Sequence, residues 1–323
     1  MKKLVQVLWL IVVWAQPQAV RGENIVVSVV TPSAPYMDHF TAQERGYFRE
    51  QGLNVEFIRM GGGIATPALL SGELHFSTSA GSALSAALRG GPVKIIYTNL
   101  SKPSYKLIST QSNIQSLKEL AGKRVAINTF GDTQHLAILL LLKKYNIPSK
   151  SVLFIAMGRN ETRFAAFKSG AIDATLLLPR DVLQVGQAGG HVLADIGSEI
   201  QLIWNGAATA NNLLAENRRL AERFLAAVVR GREYARHYKE QTLGIIAKYD
   251  KSPREGIELE YDATLAAMTA DGSVSDSVLR DEIATRAELT QLNNPPEKEK
   301  IFDYSVVRKV YADMKASGWQ PVR

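Results

Sequence analysis

The chain has 323 residues, of which 46% are apolar, 8% aromatic and 21% charged. That is enough for two domains or one bilobed body with a sizeable core, and it excludes wholesale disorder. There is no cysteine, which excludes a disulfide framework, a thiolate zinc site, an iron–sulfur cluster and a cysteine nucleophile. The formal charge is +7; without Lys2, Lys3 and Arg21 the balance is 35 basic against 31 acidic residues, or +4. So mild and dispersed an excess is weak evidence for nucleic acid or a membrane surface, and no nucleic-acid partner is expected.

Residues 1–22 have the three parts of a secretory signal: Lys2 and Lys3, an apolar run from Leu4 to Trp14, then the small residues Ala15, Ala19 and Gly22. The apolar run is shorter than the ~20 residues needed to span a bilayer. The expectation is cleavage after Gly22 or Ala15, with an uncleaved anchor as the alternative. The junction has no cysteine to carry a lipid, so the expected product is an exported, soluble, periplasmic protein.

Asn24–Val30 is a β-branched run that predicts a buried strand, and Tyr36–Gln51 has helical spacing that stops at Gly52. A strand over Leu53–Met60 runs into Gly61-Gly62-Gly63. A short helix through Ala68–Leu70 ends at Ser71-Gly72, and a strand Leu74–Ser79, a helix Ser82–Leu88 and a strand Val93–Asn99 follow. This alternation predicts a parallel sheet covered on both faces.

The rhythm restarts after Lys102-Pro103. Strands are predicted at Arg124–Asn128, Val152–Met157, Ile172–Leu178 and His191–Ile196. The intervening helices are His135–Tyr145, one running to Ser169-Gly170, and one after Pro179. Beyond Asn212 the pattern is helical: Arg218–Tyr249, Pro253–Ala270, Asp276–Leu292 and Tyr304–Ala316. A weak repeat supports two similar lobes, because Ser71-Gly72-Glu73-Leu74-His75-Phe76 matches Ser169-Gly170-Ala171-Ile172-Asp173-Ala174 in the same helix-to-strand context.

Several chemistries are missing. The histidines are scattered and form no H-x-x-x-H or H-E-x-x-H pair, so no metal site is expected. There is no G-x-S-x-G elbow and no phosphate loop. Gly61-Gly62-Gly63 lacks G-x-G-x-x-G spacing, because position 66 is Thr; it reads as a backbone close to something small, or as a tight turn. The basic stretch Arg230–Lys239 reads as the solvated face of a packing helix, with Phe224, Val228 and Tyr234 as its buried stripe.

Four segments together resemble the periplasmic substrate-binding proteins of ABC importers, in the nitrate/sulfonate/taurine and thiamine-pyrimidine-like (SsuA/THI5-like, NMT1-like) group. They are Ala42-x-x-x-Gly46-Tyr47-Phe48-x-x-x-Gly52-Leu53-x-Val55, the glycine loop with the helix ending at Ser71-Gly72, Arg124-Val125-Ala126-Ile127 with Gly131 and the helix to Tyr145-Asn146-Ile147, and Arg163-x-x-Ala166-x-x-Ser169-Gly170-x-Ile172-Asp173-Ala174. The resemblance implies an α/β, bilobed type II periplasmic-binding-protein fold with a helical C-terminal part and no cofactor. Lobe 1 would combine 23–108 with 209–323 and lobe 2 would be 109–208, joined by extended crossings near Leu100–Ser109 and Trp204–Asn212. It also implies a monomer that captures a small-molecule ligand between its lobes and delivers it to an ABC permease. A periplasmic sensor feeding a signalling partner is an alternative. A thiamine-pyrimidine synthase-like enzyme is another, but such enzymes use a cysteine-rich iron segment that this chain lacks.

The expected ligand-binding residues are strand-end loop positions. They are Ser33, Tyr36, Gly61, Gly62, Ser79 and Thr98 in lobe 1, and Thr129, Gly131, Asp132, Thr133, Arg159, Asn160 and Arg180 in lobe 2. Two departures from the family pattern stand out. His75 replaces an aspartate, in a position expected to be structural. Asp132 replaces a serine, where its carboxylate would cap the following helix and occupy an anion's place. Arg159 and Arg180 then either attract an anion or pair with Asp132 or Asp181.

Overall fold

The computed structural model describes residues 22–109 and 114–322. The expected leader, apart from Gly22, lies outside these residues. Two five-stranded sheets form the frame. In the first half the elements are β1 (Glu23–Val29), α1 (Met37–Glu44), α2 (Tyr47–Glu50), β2 (Leu53–Arg59), α3 (Gly62–Ser71), β3 (Phe76–Ser77), α4 (Ala80–Leu88) and β4 (Val93–Leu100). The chain then crosses over to β5 (Lys106–Ser109), β6 (Arg124–Ile127), α5 (Thr133–Lys144), β7 (Leu153–Ala156), α6 (Asn160–Lys168), β8 (Ala174–Leu177), α7 (Pro179–Gln187) and β9 (His191–Asp195). It returns through α8 (Ile196–Glu199) to β10 (Asn205–Ala210) and finishes in α9 (Asn211–His237), α10 (Lys239–Tyr249), α11 (Arg254–Ala267), α12 (Asp276–Leu289), α13 (Lys298–Ile301) and α14 (Ser305–Ala316).

The sheet orders, β2-β1-β3-β10-β4 and β7-β6-β8-β5-β9, are the same pattern twice. They are mixed rather than parallel as the alternation predicted, for β10 runs antiparallel to β3 and β4 and β5 antiparallel to β8 and β9. These are the strands that enter each sheet from the other lobe. The stretches expected to be only extended crossings therefore supply a strand to each sheet. Residues 106–108, expected in lobe 1, pair in the second sheet, while 205–208, expected in lobe 2, pair in the first.

The short sequence repeat has a physical counterpart. Gly72 and Gly170 both end their helices at positive φ (83° and 69°), a conformation that favours glycine. Asp173 Oδ2 then accepts the backbone N–H of Arg124 at 2.7 Å, and His75 Nδ1 accepts that of Val26 at 3.1 Å. The histidine therefore does the structural work of the aspartate. Burial lowers its pKa, which keeps the accepting nitrogen free of a proton.

The single helix predicted over Tyr36–Gln51 is two, broken at Gly46, and the one over Arg218–Tyr249 breaks at Tyr238. Within α9, Asn217 leaves helical geometry, and its side chain accepts the N–H of Leu220 at 3.1 Å to restart the helix. Phe224 on this helix stacks on Phe76 at 4.1 Å and on Phe48 at 5.7 Å in the core of the first lobe. Burying such a ring contributes about 2–3 kcal/mol. The basic stretch is not simply a solvated face: Arg232 is wholly buried and bonds the carbonyl of Thr269 and the hydroxyl of Tyr311. Ala267, at the end of α11, joins the core of the second lobe, and Leu289 of α12 packs against it, so the C-terminal helices brace both lobes.

Candidate functional site between the lobes

A cleft of about 360 Å³ opens where the C-terminal ends of β1, β2 and β3 face those of β6, β7 and β8. Open α/β sheets present their ligands at such strand ends. Ten of the thirteen expected residues line it: Ser33, Tyr36, Gly61, Gly62, Ser79, Thr129, Asp132, Thr133, Arg159 and Asn160. The other three do not. Thr98 is buried inside β4 and shares a 2.5 Å hydrogen bond with the Tyr304 hydroxyl, because its side chain points to the helical layer. Gly131 lies on a neighbouring surface groove with Phe130. Arg180 is drawn away by Asp250 and lies 3.7 Å from Glu260, both in the helical part of the first lobe.

Local sequence explains much of the lining. Asp132 is the N-cap of α5, with Oδ1 accepting the His135 N–H at 2.9 Å and Oδ2 accepting from Asn128 Nδ2 at 2.8 Å. His135 reciprocates, its Nδ1 accepting the Gly131 N–H at 2.9 Å. Burial pushes the Asp132 pKa up; those hydrogen bonds and the charge of Arg163 pull against it. Across the cleft, α3 starts at Gly61 with no capping side chain, leaving its first backbone N–H groups without helical partners. Gly62 must be glycine for packing, because a Cβ there would fall on the Ser82 side chain of α4.

Other lining residues escaped the sequence reading. Tyr105 and Trp204 come from the crossings and pack together, with ring centroids 4.8 Å apart. Burial pushes the Tyr105 phenol up to about 12. Arg163 is 2% exposed; its Nη1 donates to the carbonyl of Gly158, and its Nε has no partner. Burial lowers its pKa. Gln134 Oε1 and Ser79 Oγ are likewise buried without partners. Arg163 already stood in the fourth family-like segment, so its motif was a signal; nothing local marked Tyr105, Gln134 or Trp204.

The lobes touch around the cleft. Arg59 Nη2 lies 2.6 Å from Glu161 Oε1, and Ser85 Oγ donates to the Gly131 carbonyl at 3.3 Å. Gly81 packs so tightly that a Cβ would fall on Thr133 Oγ1. Among the described residues no group of three or more His, Asp or Glu is placed to hold a metal, and no helix is long and apolar enough to cross a membrane.

The family model described as NMT1/THI5 like matches residues 35–242. The chain belongs to this family. A protein of Brucella abortus named only as a binding protein is 26% identical over 275 residues, covering 80% of this chain and 84% of its own. Among solved structures, the ligand-binding component of an ABC-type import system from Staphylococcus aureus superposes with TM-score 0.73 at 13% identity, covering 89% of this chain and 99% of that one. The periplasmic aliphatic sulphonate binding protein SsuA of Escherichia coli gives 0.69 at 18%, covering 85% and 94%. The desulfurization enzyme DSZB gives 0.63 at 14%, covering 90% and 99%. Likeness at such identities establishes the bilobed periplasmic-binding-protein fold.

Proposed function

We propose that this protein is the extracytoplasmic solute-binding component of an ABC importer, capturing a small molecule between its lobes and handing it to a membrane permease. The observation that carries the reading is the cleft itself, built from the strand ends of two like sheets and holding buried polar atoms that lack partners. Such groups cost free energy unless something fills their hydrogen bonds. A ligand does so, and it bridges the walls that the two lobes contribute, so hinge closure couples to capture. The names of the import-system component and of SsuA support the same role, with the periplasm as its place.

In this reading the protein performs no reaction. The cleft has no cysteine, no serine–histidine pair and no second carboxylate beside Asp132, although the likeness to DSZB shows that the fold also serves an enzyme. The test is a thermal-shift screen of small anions, sulfonates, pyrimidines and aromatic acids, followed by recovery of the bound compound. A ligand that binds only the folded state raises the melting temperature. Recovery of the compound chemically unchanged is the expected result, and turnover overturns the reading.

A further inference from the structure

The polar groups of the cleft define a ligand class, an inference that rests on the solute-binding reading. Three arginines and one carboxylate line the cleft. Arg59 is neutralised by Glu161 at 2.6 Å. Arg163 and Asp132, neighbours on the second lobe, each feel the other's opposite charge. The Arg159 side chain is exposed and makes no ion pair or hydrogen bond with a described residue. The balance is one uncompensated positive charge, and on the first lobe's wall the uncapped start of α3, with its free N–H groups, also favours an anion.

A plain anion would leave the second lobe's acceptors unused. Gln134, two residues after Asp132, has Oε1 buried in the wall with no donor, and neither that oxygen nor the Asp132 carboxylate can bond to another acceptor. Arg163 Nε and Ser79 Oγ, equally buried, ask for an acceptor on the ligand. Tyr36, Tyr105 and Trp204 give a ligand flat apolar walls.

We propose that the cleft takes a small organic monoanion that also carries an N–H donor, an amino- or amido-acid, its acid group facing Arg159 and the start of α3 and its donor facing Gln134 and Asp132. Asp132 is thus a specificity residue that rejects anions without a donor.

Three probes of nearly one shape separate the terms: 4-aminobenzoate, benzoate and 4-aminobenzamide, titrated calorimetrically at millimolar concentration. The expected result is 4-aminobenzoate at least ~10-fold tighter than either of the others, the loss of one good polar contact. Asp132→Asn keeps a helix-capping side chain and should erase the preference for the amino group. Arg159→Gln, on an exposed side chain, should erase the preference for carboxylate over amide. Equal or tighter binding of benzoate, or no binding of any probe, overturns the class. Mass spectrometry of small molecules released from protein purified from its own cells separates the two readings. A released compound lacking the negative charge or the donor overturns the class and leaves solute binding standing. Protein that releases nothing and takes no probe overturns both.

Discussion

Replacing Arg180 by methionine tests whether charge fastens the second lobe to the helical part of the first. The guanidinium is nearly buried: Nη1 meets Asp250 and lies 3.7 Å from Glu260 Oε2, while Nε lies 3.9 Å from Asp181 Oδ1. At an effective dielectric of ~20, charges 3.7 Å apart interact by about 4.5 kcal/mol. Removing one partner of a buried pair costs about 3–5 kcal/mol, because the stranded charge has no water to turn to. Methionine keeps most of the apolar stem, so the loss reports on charge rather than on packing. Glu260 can relieve the damage by taking up a proton, since burial, aided by Asp250 and Asp181, already raises its pKa to about 8. Near pH 6 Glu260 is protonated and Arg180 faces two carboxylates; near pH 9 it faces three. Urea unfolding should therefore show Arg180→Met losing about 3 kcal/mol, and more at the higher pH than at the lower. Adding Glu260→Gln should remove that pH difference. A loss below about 1 kcal/mol, or an equal loss at both pH values, would refute the reasoning.

Three further outcomes follow from individual contacts. Glu260 has a folded pKa above its unfolded one, so the folded state holds the extra proton and stability should decline as pH rises from about 4.5 to about 8; Glu260→Gln should flatten that decline in thermal melts across the range. Gly62→Ala should destabilise by about 1–3 kcal/mol through collision with Ser82, while Gly63→Ala, whose nearest neighbour is Thr129 at 3.5 Å, should be tolerated, as chemical denaturation will read. His75→Asp should fold with nearly unchanged stability at neutral pH and lose the wild type's weakening in acid. There, protonation of a histidine whose folded pKa is lowered removes the acceptor for Val26. His75→Ala should cost about 1–3 kcal/mol at neutral pH and less in acid, where the wild type has itself lost the acceptor, checked by the same melts.

Interactions between near neighbours in the chain were legible from the sequence. Asp132 was readable as a cap because a carboxylate before a helix meets an N–H three residues on, whatever the rest of the chain does. The matched Ser-Gly turns announced two like lobes because a helix that must stop at a left-handed residue selects glycine locally. The ten cleft residues placed by their strand ends follow from the same logic, since a βα unit fixes which end of its strand bears the loop.

What the tertiary structure decided depended on partners far away in the chain. Thr98 sits near the end of a strand, yet its side chain turns to Tyr304, 206 residues on. Arg180 heads a strand-end helix as expected, but Asp250 and Glu260 claim its charge from another lobe. The strands β5 and β10 were invisible as sheet members because nothing in a four- or six-residue extended segment says which sheet will accept its hydrogen bonds. The same holds for the pairing of Tyr105 with Trp204 and for the unmet bonds of Gln134 and Arg163. A sequence fixes what a side chain can donate or accept, but only the packed chain determines whether another group has already met that demand.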